Sequence, residues 1–71
     1  MELTNAKEFG AAVRMYRKKQ GATQLQLAAF ANTGLRFISD LENGKPSVQL
    51  EKALRVAWLL GFKLELPGDK K

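Results

Sequence analysis

The chain has 71 residues, a formal net charge of +5, and neither Cys nor His. That length makes one small domain near the lower limit for a self-sufficient core, and without thiols it has no disulfide and no thiolate metal site. Lacking imidazole, it also lacks the commonest metal ligand and the usual general base at neutral pH; an enzyme is therefore disfavoured, no metal or cofactor is expected, and the charge suits either a polyanionic partner or a solvated surface.

Residues 3–21, LTNAKEFGAAVRMYRKKQG, predict a first helix. Asn5 and Glu8 have the spacing of a capping box, and Gly21 supplies a left-handed stop. Phe9, Val13 and Tyr16, widened by Ala12, make one apolar stripe. Arg17, Lys18 and Lys19 fall in the last turn, where cations favour the negative end of the helix dipole.

TQLQLAAFA predicts a second helix, capped by Thr23 with Gln26 completing the box. Leu27, Ala28 and Ala31 form its inner face, and Asn32 ends it because Asn tolerates positive φ. GLRFISDLEN predicts a third, with Gly34 at the cap. Ile38 and Leu41 point inward there, while Leu35, Arg36, Ser39 and Asp40 face outward. Asn43-Gly44 stops it.

Ser47 is expected to cap a fourth helix, VQLEKALRVAWLLG, after Pro46. Leu50, Ala53, Leu54, Ala57 and Leu60 trace its expected inner stripe, and Gly61 closes it. FKLEL then alternates with period two, which puts Phe62, Leu64 and Leu66 on one face of a short strand. A lone strand leaves its backbone groups unpaired, so the expected partner is the same strand of a second copy, the alternative being a simple extended arm. The fold class expected is all-α: a compact four- to five-helix domain over 1–61, a dimerisation strand over 62–66 and a tail over 67–71.

Two helices joined by a turn of about three residues make a helix-turn-helix, whose second helix enters the DNA major groove. The third helix can be short because its neighbours clamp one side and leave the other for base edges. Arg36 is suited to a bidentate contact with guanine O6 and N7, and Asp40 to accepting from cytosine N4. Leu35 and Phe37 are large apolar residues near that outward face. Either they meet thymine methyls, or Phe37 folds back onto helix two or four.

The stretch TQLQLAAFANTGLRFISDLENGK resembles the helix-turn-helix of phage-repressor type, the XRE or Cro/C1 group. The resemblance rests on Thr23-Gln24, Leu27-Ala28, Ile38 and LENGK, and it extends from Phe9 to Gly61. Two positions depart from the family pattern: Asn32 stands where Gly is usual, and Gly34 where Ser or Thr caps the third helix. Both keep the required backbone geometry, although Gly34 forfeits a side-chain phosphate contact. GKPSVQLEKALRVAWLLGFKLEL further resembles the HipB-like antitoxins, whose C-terminal strand pairs across a dimer.

That resemblance implies a homodimeric bacterial repressor that binds an inverted-repeat operator in double-stranded DNA and a HipA-type kinase toxin. It implies a cytoplasmic, nucleoid-associated place, in keeping with a chain whose apolar runs are too short for a membrane span and which has no leader pattern. By position, Leu35, Arg36, Phe37, Ser39 and Asp40 match base-facing residues, and Gln24, Asn43 and Lys45 match phosphate contacts. Arg17 and Glu42 match an ion pair joining helix one to the end of helix three. Leu25, Phe30 and Trp58 stand where the pattern carries polar residues; Trp58 with Phe62, Leu64 and Leu66 is assigned to the dimer interface, and the other two stay open between interface and scattered surface apolars. The competing expectations are a free-standing phage-type repressor and a protein-binding adaptor without DNA binding. No small-molecule substrate is expected.

Overall fold

The computed structural model describes residues 5–45 and 49–61. Four helices follow one another: α1 (Ala6–Lys19), α2 (Gln24–Phe30), α3 (Leu35–Glu42) and α4 (Leu50–Leu60). The fold is all-helical among the described residues. The strand expected over 62–66, with Phe62, Leu64 and Leu66, lies outside them, as do the tail and the expected cap Ser47.

Local chemistry explains where the helices start. Asn5 accepts from the Glu8 backbone N–H at 2.8 Å, and Thr23 and Gln26 form a full reciprocal capping box, with bonds of 3.0 and 2.9 Å. Such caps replace partners that the first turn lacks. Gly34, having no side chain, starts α3 without a side-chain cap.

It also explains where they end. At α1, α2 and α3 the same pair of backbone bonds recurs: Ala22 to Arg17 and Gly21 to Lys18; Thr33 to Ala28 and Asn32 to Ala29; Lys45 to Asp40 and Gly44 to Leu41. Each is a Schellman closure around a left-handed residue. Asn32 serves at φ 55° where Gly44 has φ 79°. The Asn departure therefore leaves the turn geometry intact.

α1 and α2 both pack on α3, and α4 packs on α1. The core holds Phe9, Ala12 and Val13 of α1, Leu27, Ala28 and Ala31 around α2, Ile38 and Leu41 of α3, and Ala53, Val56, Ala57 and Leu60 of α4. Tyr16 is only partly buried against it. Gly10 lets α1 and α3 approach. A Cβ there would overlap the Leu41 carbonyl oxygen and stand 2.9 Å from that of Glu42.

α4 departs from expectation in two ways. Its N-cap is Gln49, expected inside the helix but excluded from it by an extended backbone (φ −70°, ψ 123°), so the helix begins at Leu50. Its buried stripe runs 53, 56, 57 and 60, leaving Leu50 66% and Leu54 42% exposed. Apart from the side of Glu51, Lys52 and Arg55, apolar residues cover this helix over an arc wider than one packed face, so periodicity alone does not choose a stripe within it. Packing covers the side that carries Ala53, Val56, Ala57 and Leu60.

Candidate nucleic-acid interface

α2, the turn through Asn32 and Thr33, and α3 form the helix-turn-helix. Ile38 and Leu41 anchor α3 inward with almost no exposure. Leu35, Arg36 and Asn43 are exposed on the opposite side, and Ser39 and Asp40 are half-buried beside them. Lys45, just past the helix, is exposed as well. The structure therefore gathers these six expected residues along one face and its C-terminal edge.

Within that face Asp40 lies between two cations, 3.9 Å from Arg36 Nε and 4.0 Å from Lys45 Nζ. Such exposed pairs contribute about 0–1 kcal/mol. They bias side-chain direction and are easily exchanged for an outside partner. The Arg36 side chain is 87% exposed.

The end of α3 is held differently. Arg17 donates from Nε to Glu42 Oε2 at 2.6 Å and from Nη2 to Oε1 at 3.0 Å, and from Nη1 to the Ala22 carbonyl at 2.8 Å. Gln24 Nε2 donates to the same Glu42 Oε1 at 3.0 Å. One carboxylate thus ties together α1, α2 and α3. The side chains of Arg17 and Glu42 are only 8% and 1% exposed. Burial pushes the Glu42 carboxyl up, but hydrogen bonds from Arg17 and Gln24, with the charges of Arg17 and Arg14, outweigh it and hold its pKa below the ordinary value. The bond to Glu42 raises the Arg17 pKa further. Both groups are charged at neutral pH. A buried, bidentate pair of this kind fixes orientation more than it adds net stability.

This geometry sharpens the expectations for three residues. Phe37 folds back: it packs against the core cluster, with Lys52 Nζ of α4 5.8 Å from its ring centroid. Its angular place on α3, 100° past Arg36 and away from Ser39, separates it from the base-facing set. Arg17, in the basic last turn of α1, turns inward to Glu42, the partner that the resemblance assigns to it. Gln24 has a bracing role before any contact with an outside group.

Gly10 and Lys52 were missed. A glycine in mid-helix was a legible signal, since it costs about 1 kcal/mol against Ala and so invites a packing reason. Nothing in the sequence brings Lys52 to α3, because that approach depends on how α4 crosses the domain. On α4, Trp58 is 76% exposed, and on α2 Leu25 and Phe30 are exposed too. Among the described residues no group of three or more His, Cys, Asp or Glu could hold a metal ion, and no helix is long and apolar enough to cross a membrane.

A short helix braced from behind by α1 and α2, with a polar and cationic outer face, defines a helix-turn-helix regulator of the DNA-binding class. Residues 13–66 match the family described as Helix-turn-helix, HTH_3, and the chain belongs to that family, in its XRE type. It is 46% identical over 66 residues to the uncharacterized HTH-type transcriptional regulator y4mF of Sinorhizobium fredii (strain NBRC 101917 / NGR234), covering 90% of this chain and 87% of that one. It is also 57% identical over 37 residues to the competence pilus inhibition repressor of Acinetobacter baylyi (strain ATCC 33305 / BD413 / ADP1), covering 52% of this chain but only 34% of the relative. Among solved structures, HipB in a HipB–O4 20mer complex superposes with a TM-score of 0.82 over 99% of both chains at 21% identity. At that identity the likeness concerns the fold.

Proposed function

We infer that the protein is a homodimeric, sequence-specific DNA-binding repressor that serves as the antitoxin of a HipBA-like pair, binding its own operator and a HipA-type kinase. The observation that carries the DNA-binding part is the exposed face of α3, with Arg36, Ser39, Asp40 and Asn43 held outward by the buried Arg17–Glu42–Gln24 brace. In this reading Leu35, Arg36, Ser39 and Asp40 meet base edges. Gln24, Asn43 and Lys45 meet phosphates, Gln24 through the second N–H of its amide.

The homodimer and antitoxin parts have separate support. Leu50, Leu54 and Trp58, four residues apart along α4, leave an apolar stripe uncovered among the described residues. A second copy related by a twofold axis would cover that stripe and present two α3 helices to half-sites about 34 Å apart. The resemblance of GKPSVQLEKALRVAWLLGFKLEL to the HipB-like antitoxins supports the antitoxin part, and the likeness to HipB in the solved complex supports the shared fold. The relatives named as a transcriptional regulator and a repressor support the regulatory part and fit a free-standing regulator as well as an antitoxin; a kinase gene beside this one would separate the two.

Selection of bound duplexes from a random library tests the first part. An inverted repeat with half-sites one helical turn apart is the expected outcome. A protein that retains no duplex at low salt is an adaptor and not a repressor.

A further inference from the structure

We propose that Lys52, in the first turn of α4, binds a backbone phosphate on the flank of α3 opposite Gln24. The inference rests on the reading of α3 as a helix that enters the major groove, and it adds a contact from an element outside the helix-turn-helix.

Successive residues on a helix are turned by 100°. The outer face of α3 is therefore centred on Arg36, Ser39 and Asn43, with Glu42 and Leu35 toward one flank and Phe37 on the other. Gln24 reaches the first flank, since its amide bonds Glu42 at 3.0 Å. Lys52 reaches the second, with its ammonium 5.8 Å from the Phe37 ring centroid. A helix with its side chains is about 10–12 Å across, close to the roughly 12 Å width of the major groove. Both phosphate backbones must therefore run along its flanks. A donor stands on each side.

The state of the Lys52 ammonium fits this role. The face of an aromatic ring attracts a cation within about 6 Å, which holds the flexible side chain at the edge of α3 without neutralising it. Among the described residues Lys52 makes no ion pair, whereas Arg17, Arg36 and Lys45 all face carboxylates. It is half-buried, so its stem is covered. Phe37 thus acts as a seat for a cation beside the reading face.

Lys19 provides a matched comparison. Its ammonium also lies 5.8 Å from a ring centroid, that of Tyr16. It stands at the C-terminal end of α1, beside the C-terminal end of α4, where Gln20 Nε2 bonds the Leu60 carbonyl at 2.9 Å. From Lys52 to Leu60 the helix rises about 12 Å.

The test measures affinity for a mixed-sequence DNA duplex across a salt series, using the whole chain and the variants Lys52→Gln, Lys52→Arg and Lys19→Gln. Each phosphate contact contributes about 0.9 to the slope of log affinity against log salt. Lys52→Gln is expected to flatten the slope by about that amount, while Lys52→Arg and Lys19→Gln keep it. An unchanged slope in Lys52→Gln, or equal flattening in Lys52→Gln and Lys19→Gln, overturns the assignment while leaving α3 as the reading element. Absence of salt-dependent binding by the unaltered protein would instead remove the underlying reading, and the proposal with it.

Discussion

Replacing Glu42 by Gln keeps the shape of the side chain at the junction of α1, α2 and α3 and removes its charge. The Arg17 guanidinium then stays only 8% exposed with no anion against it, and the carboxylate bonds from Arg17 and Gln24, 2.6–3.0 Å long, are lost or reversed. Breaking a buried pair from one side costs about 3–5 kcal/mol, mostly the penalty of the stranded charge. A chain of this length has a total stability on the order of 4–10 kcal/mol, so the variant should sit near the edge of folding. Urea denaturation followed by far-UV circular dichroism measures the loss. A double replacement by apolar residues, Arg17→Met with Glu42→Leu, should recover much of it, because no charge is left stranded.

The same pair predicts an acid limb. A carboxyl whose pKa is depressed by folding adds stability that is fully present above its unfolded value and is lost as pH falls through the folded one. The ordinary value here is 4.5, and that of Glu42 in the fold lies below it. Stability should therefore fall as pH drops below 4.5, and fall less steeply in Glu42→Gln. A loss under about 1 kcal/mol in the single variant, far short of the stranded-charge penalty, or acid limbs of equal steepness, would refute the view that this carboxylate is ionised and buried.

Three further outcomes test other parts of the structure. Gly10→Ala should lower the thermal midpoint even though Ala favours helix by about 1 kcal/mol, because the added methyl overlaps the α3 backbone and overpacking costs about 1–3 kcal/mol. Arg36→Ala should lose about 1–3 kcal/mol of discrimination at one base pair of a selected operator; equal losses on operator and random duplex would deny it a base-reading role. Removing residues 62–71, or introducing Leu64→Pro, should lower the dimer fraction in analytical ultracentrifugation and weaken operator binding together, and an unchanged dimer would leave the strand without that role.

The start and stop signals of the helices were legible because they act over a few residues. Asn5 and Thr23 cap where their side chains reach backbone N–H groups three positions on, and Gly21, Asn32 and Gly44 end helices because each takes the left-handed conformation a Schellman closure requires. The outward face of α3 was legible for a related reason: Ile38 and Leu41 fix the inward side, and the 100° turn then places Arg36, Ser39 and Asn43 opposite. The join between Arg17 and Glu42 came from family resemblance, since a separation of 25 residues carries no local signal.

By itself, then, the sequence determined the helices, the turn between α2 and α3, and the polar side of α3. Tertiary structure decided which face of α4 is covered, why Gly10 is needed, where Phe37 turns, and that Lys52 stands beside α3. The division has a physical cause. Caps and closures are bonds between near neighbours in the chain, whereas the face of an apolar helix and the fit of a glycine depend on the shape of another element. In α4, apolar over more than half of its circumference, only packing against the rest of the core settles that Val56 is buried while Leu50 and Leu54 remain at the surface.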